Sequence, residues 1–151
     1  MYVNILMSTD GSDVAIKGVK QGLALAKALN AKVTVLTVTE PLVADYGSGF
    51  GGSGWIPSQE EVDRFDAASK KSADIVLDEA RVMAEQIGTS AELLHVPNAS
   101  PAFAIVETAK SRGCDLIVMA SHGRRGLKKL LLGSQTSKVL ADGSVPVLVV
   151  W

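Results

Sequence analysis

The sequence predicts one doubly wound α/β domain: a five-stranded, mostly parallel sheet with helices on both faces. Three observations carry that expectation. Short apolar runs rich in β-forming residues alternate along the whole chain with longer stretches of helical period. A length of 151 residues suits one hydrophobic core, with no separate substrate domain. Two of the apolar runs also break abruptly into polar, glycine-bearing turns, Ser8-Thr9-Asp10-Gly11 and Ser121-His122-Gly123, and ligands of such sheets bind just outside the strand carboxyl ends.

Taken in order, Val3 to Met7 is the first strand, and Ser12 supplies an N-cap for a helix in which Val14, Val19, Leu23, Ala26 and Leu29 recur near helical spacing. Asn30 ends that helix. Lys32 to Thr39, with Val33, Val35, Leu36 and Val38, has the β-branched content of a second buried strand. Pro41 to Pro57 departs from the rhythm: five glycines stand among serines and the isolated aromatics Tyr46, Phe50 and Trp55, which predicts a mobile loop. Its Gly47-Ser-Gly49-Phe-Gly51-Gly52 run lacks the tight strand-to-helix junction of a dinucleotide fingerprint.

Ser58 and Glu61 form a capping box that opens a long helix through Ile87, and Gly88 stops it. Ala91 to Val96 is the third strand and Pro97 to Pro101 a turn. Ala102 to Arg112 is a helix with Phe103, Ile105, Val106 and Ala109 expected to turn inward, capped by Gly113. The fourth strand begins at Leu116, a helix runs from Ser134 through Ala141, and Val145 to Trp151 is the fifth strand.

Composition excludes several classes of function. With 47% apolar and 21% charged residues and a net charge of −1, the chain is neither a disordered protein nor a general nucleic-acid or membrane-surface binder. Cys114 is the only cysteine, so no intrachain disulfide forms. Met1 to Asn4 enters a strand without a basic leader, and no apolar run reaches membrane-spanning length; the expectation is a cytoplasmic protein, neither exported nor embedded.

The stretch from Asp115 to Thr136 carries the chemistry. A buried strand runs into a glycine-punctuated loop bearing Arg124, Arg125, Lys128 and Lys129, and Gly133-Ser134 then opens a helix. Backbone N–H groups at a glycine turn beside a helix start, together with the helix dipole, favour an anion such as phosphate. If the first and fourth strands are neighbours, in the order 3-2-1-4-5, Asp10 faces this loop across one crevice. A flavodoxin-like order would instead set the first strand beside the third, bringing up His95 and Pro97, which are poorly suited to the task.

Ile5-Leu-Met-Ser-Thr-Asp10-Gly-Ser, Ala120-Ser-His-Gly123 followed after nine residues by Gly133-Ser134, and Ser144-Val-Pro-Val-Leu-Val-Val150 together resemble the universal stress protein family over nearly the whole chain. The nucleotide-binding branch of that family carries Gly-x-x-Gly, nine residues, then Gly followed by Ser or Thr. Ala120 stands in place of the first glycine, and an alanine is compatible with close backbone approach wherever φ stays negative. The resemblance implies a Rossmann-like, adenine nucleotide alpha hydrolase-like fold with the order 3-2-1-4-5. It implies Ser8, Thr9, Asp10 and Val38 around an adenosine, and Gly123, Arg124, Gly133, Ser134, Gln135 and Thr136 around its phosphates. Met119, Ala120, His122 and Gly126 complete the candidate set.

Asp10 would repel bare phosphate, so it belongs on the ribose, on the base amine, or on Mg²⁺ between phosphates. The expected ligand is therefore ATP or a related adenine nucleotide with Mg²⁺, used as a regulatory ligand in a stress response. The last strand resembles the edge through which family members dimerise, and an uncovered apolar edge also favours pairing on physical grounds. A downstream protein partner is expected, of a kind the sequence does not name. No nucleophile or second base lies near His122 in sequence, so any hydrolysis is expected to be slow. The alternatives are a dimeric interaction module without nucleotide, for which Ala120 speaks, and a slow ATPase or phosphotransferase. His95 and Cys114 read as structural residues, and Asp13, Asp45 and Asp115 lack metal-cluster spacing.

Overall fold

The computed structural model describes residues 1–42, 56–123 and 132–151. Five strands, β1 (Asn4–Ser8), β2 (Lys32–Val38), β3 (Glu92–Val96), β4 (Leu116–Ala120) and β5 (Val147–Val150), alternate with four helices: α1 (Asp13–Leu29), α2 (Gln59–Ile87), α3 (Pro101–Ser111) and α4 (Ser134–Asp142). All strand pairs are parallel and the order is β3-β2-β1-β4-β5, so the flavodoxin-like alternative does not apply. The segment read as a mobile loop falls, over residues 43–55, outside the described residues, as do Arg124, Arg125, Gly126, Lys128 and Lys129.

The period-two alternation of the central strands sorts the core into two layers. Ile5 and Met7 of β1, Val33 and Val35 of β2 and Val118 of β4 pack with Val19, Leu23 and Ala26 of α1 and Leu77, Ala80 and Ala84 of α2. Leu6, Leu36, Ile117 and Met119 point the other way, onto Ala102, Ile105, Val106 and Ala109 of α3 and Val139 of α4. Both faces of β1 and β4 are thus covered, which is why those runs are apolar without interruption. Cys114 is buried in the second layer as a small apolar group, and burial pushes its thiol pKa up.

One inward residue of the third helix is misplaced by sequence reasoning. Phe103 is 67% exposed. The buried stripe of α3 is Ala102, Ile105, Ala109 with Val106 beside it, an i, i+3, i+7 series, and Phe103 sits one position around the helix from that stripe. Large apolar size suggested burial, but angular position decides it.

The helix ends follow the sequence closely. Ser12 caps α1 by accepting from the Ala15 N–H, and Asn30 closes it in a left-handed conformation at φ 54°. Ser58 and Glu61 make the reciprocal capping box of α2, and Gly88 ends it at φ 79°. The last turn of α2 has no basic residue of its own, and Lys27 of α1 reaches across to the Ile87 carbonyl. At the amino end of the sheet the Asp115 carboxylate accepts the N–H groups of Val3 (2.8 Å) and Asn4 (3.0 Å), and those bonds hold its pKa below the usual carboxylate value. The chemistry collects at the opposite, carboxyl end.

Candidate functional site

Two strand ends make the site. At the end of β1 the Thr9 N–H donates to the Leu36 carbonyl of β2 at 2.9 Å, the last rung before the chain turns. The turn is then held by its own side chains: Thr9 Oγ1 accepts from the Gly11 N–H at 3.1 Å, Asp10 Oδ1 from the Ser12 N–H at 3.0 Å, and Ser12 Oγ from the Ala15 N–H at 3.3 Å. Gly11 takes φ 76°, which an L side chain rarely adopts. Asp10 Oδ2 lies nearest, across the crevice, to the point where a Cβ on Gly123 would be.

At the end of β4 the Ser121 N–H donates to the Val150 carbonyl of β5 at 2.7 Å, and the Ser121 carbonyl accepts from the Gly133 N–H at 2.7 Å. That second bond brings the start of α4 back onto the strand end. Gly133 is the N-cap of α4 and has no side chain with which to cap it, and Ser134, Gln135 and Thr136 of the first turn line the cleft. Both glycines are demanded by proximity. A Cβ on Gly133 would lie 3.0 Å from His122 Cα and 3.3 Å from the Ser121 carbonyl oxygen, and one on Gly123 would overlap the Asp10 carboxylate. Ala120, in contrast, lies in extended β4 and is not among the positive-φ residues, so its methyl costs the backbone nothing.

These two ends enclose a cleft of about 370 Å³. Every candidate that falls within the described residues lines it: Ser8, Thr9, Asp10 and Val38 from the β1–β2 side, Met119, Ala120, His122 and Gly123 from the end of β4, and Gly133, Ser134, Gln135 and Thr136 from α4. Arg124 and Gly126 lie outside the described residues. Two of the α4 candidates have structural partners as well. Thr136 Oγ1 donates to the Ala120 carbonyl at 2.9 Å and is 2% exposed, so it ties the first turn of α4 to β4. Gln135 Oε1 accepts from the Ala102 N–H at 3.0 Å, capping α3 where Ser100 makes no cap bond of its own. With its oxygen engaged, Gln135 offers its –NH₂ as the remaining donor, the polarity an anion requires.

The cleft has walls that sequence reasoning did not find. Ser72, Ala73 and Val76 come from the middle of α2, Pro101 and Ile105 from α3, and Thr37, Thr39 and Glu40 from the end of β2. Thr39 is one residue beyond Val38, and strand-end position was a signal for it. Nothing local marks the α2 residues, because a 29-residue helix reaches the cleft only through its packing on the sheet. His122 sits at the mouth with Nδ1 3.0 Å from Ser121 Oγ. His95 and Cys114 are not among the residues that line the cleft.

The arrangement separates two chemistries. Around α4 the atoms on offer are N–H and hydroxyl donors with the positive end of a helix dipole. Along β2 and α2 the walls are aliphatic with a few small hydroxyls and the Glu40 carboxylate beyond the strand end, a mostly apolar lining that suits a flat ring. Asp10 is a second carboxylate, at the end of β1. Among the described residues no group of three or more His, Cys, Asp or Glu converges on a point, so a divalent cation here would depend on oxygens brought by the ligand.

The model of the universal stress protein family matches residues 1–150. Universal stress protein YxiE of Bacillus subtilis is 33% identical over 150 residues, covering 99% of each chain. Among solved structures, MJ0577 of Methanocaldococcus jannaschii matches with a TM-score of 0.81 at 28% identity, covering 99% of this chain and 96% of its own. A universal stress protein solved in complex with cAMP matches with a TM-score of 0.72 at 26% identity, covering 99% of this chain and 97% of its own.

Proposed function

The chain belongs to the universal stress protein family, and we propose that its cleft binds an adenine nucleotide, ATP or a close relative, as a regulatory ligand in a cytoplasmic stress response. The observation that carries the reading is the glycine-capped start of α4 held against the end of β4 opposite Asp10. Phosphates would take the donors of α4, the ribose would meet Asp10, and the base would lie along β2 and α2. A relative at 26% identity was solved with cAMP, which supports an adenine ligand class. Asp10 would help hold a Mg²⁺ brought with the nucleotide, which would neutralise charge that the carboxylate otherwise repels. Turnover would be slow and the nucleotide would act by its presence. A downstream protein partner would read that state.

Calorimetric titration with ATP and Mg²⁺, on protein shown by mass spectrometry to carry no nucleotide, tests this. Saturable binding is expected, weakened about ten- to a hundredfold in Ser134→Ala, the loss of one hydrogen bond to a charged group. Absence of heat from nucleotide-free protein would leave the interaction module as the better reading. Rapid phosphate release abolished by Asp10→Ala would make it a hydrolase.

The same chain is inferred to form a homodimer through β5. That strand is one edge of the sheet, and Leu148 and Trp151 are 38% and 63% exposed along it. Sedimentation equilibrium is expected to show a dimer that Leu148→Asp dissociates. A wild-type monomer at every concentration tested would refute the interface.

A further inference from the structure

We propose that Thr39 reads the exocyclic position of the bound purine and that His95 sets whether it does so as acceptor alone or also as donor. The inference rests on the nucleotide reading of the cleft. Thr39 lines the cleft immediately after β2, and its backbone is committed: its N–H donates to the Val96 carbonyl at 3.1 Å and its carbonyl accepts from the Ala99 N–H at 3.2 Å. Thr39 Oγ1 lies 2.8 Å from His95 Nε2. The hydroxyl thus has one fixed partner, and that partner has two states.

A threonine hydroxyl has one hydrogen and two lone pairs. Against a bare Nε2 it must give the hydrogen to the ring, which leaves only lone pairs for anything in the cleft. Against a protonated Nε2 the ring donates, and the hydroxyl hydrogen is released. The hydroxyl gains a free donor and keeps one lone pair, with no heavy atom moving. A 6-aminopurine presents an N–H donor at its exocyclic position and a 6-oxopurine presents an acceptor, so the bare ring favours the first and the protonated ring admits both.

The surroundings keep the ring uncharged near neutrality, and the first state is the tautomer with its proton on Nδ1. His95 shares the face of β3 with Leu93, which packs into the layer beneath α2. Burial disfavours the charged imidazole and holds its pKa below the ordinary value. From α2, Asp74 favours the charge and Lys70 opposes it, and these two are themselves paired at 2.7 Å. From β2 the facing residues are Thr37, its register partner, and Thr39, both uncharged. Acidification then adds a donor where only an acceptor stood.

The test is calorimetric titration of the whole chain with ATP and with ITP at about pH 7.5 and about pH 5.5. The two triphosphates ionise alike, so their affinity ratio cancels that effect. Wild type is expected to prefer ATP at the higher pH, with the ratio falling at least about fivefold on acidification. His95→Gln, and Thr39→Val with the hydroxyl gone, are expected to give ratios independent of pH, whereas Thr39→Ser keeps the dependence. A pH-independent ratio in wild type, or one that still varies in His95→Gln, overturns the proposal. If wild type binds neither nucleotide at either pH, the nucleotide reading itself fails and takes this inference with it.

Discussion

Replacing Gly133 with valine is expected to destroy nucleotide binding while leaving a folded protein. Even a single Cβ there would sit 3.0 Å from His122 Cα and 3.3 Å from both His122 Cβ and the Ser121 carbonyl oxygen. Two of those three atoms are backbone, so no flexible side chain can simply swing away, and valine adds two more carbons. Relief requires the start of α4 to withdraw from the end of β4, breaking the 2.7 Å bond from Gly133 N–H to Ser121. Overpacking of this kind costs about 1–3 kcal/mol. For a domain of this length that corresponds to a fall in Tm of roughly 2–12 °C.

Binding should suffer more than stability, because the displaced atoms are the donors themselves. Affinity for ATP is expected to drop by about a hundredfold or more, the loss of two or more charge-assisted bonds. Gly113→Ala is the control. Gly113 has φ 62°, with open space where an added methyl would point, and lies at the other end of β4. The substitution should cost about 1–2 kcal/mol of backbone strain and leave binding alone. Scanning calorimetry and titration on both variants separate the two effects. Wild-type affinity in Gly133→Val would remove α4 from the site.

The course of the chain could be read from the sequence because each signal was local. Asn30 and Gly88 end their helices where the left-handed conformation is needed, and Ser58 with Glu61 fixes the start of α2 to the residue. Strand order was not local: the residues left two orders open, the resemblance to the family implied 3-2-1-4-5, and the sheet brings Asp10 and Gly123 together by seating β1 beside β4. What local signals did not carry is tertiary. Phe103 has the composition of a core residue and the angular position of a surface one. Ser72 and Val76 reach the cleft only because α2 crosses the end of β2, and the Thr39–His95 contact joins residues 56 apart in sequence. Gln135 was assigned to phosphate, with no sign that its oxygen would cap α3.

Thr136 is where the two roles of a cleft residue compete, and Thr136→Val decides between them. If the hydroxyl serves the ligand, the variant should keep its stability and lose affinity. The geometry argues for the reverse. The hydroxyl is 2% exposed and donates at 2.9 Å to the Ala120 carbonyl, the last residue of β4. Valine matches the shape but returns no donor, and a buried acceptor deprived of its partner costs about 1–3 kcal/mol. Thr136→Val is therefore expected to lower Tm by roughly 2–12 °C. Affinity should fall only a few-fold, through loosened placement of the α4 N–H groups rather than loss of a ligand contact. Thr136→Ser restores the donor and should recover most of the stability, short of the methyl's packing. Denaturation and titration of the three proteins make the comparison. An unchanged Tm with affinity lost in valine and recovered in serine would turn the hydroxyl toward the phosphate and demote the Ala120 bond. A lowered Tm with affinity nearly kept would make Thr136 a positioning residue that holds the anion-binding helix end against the sheet.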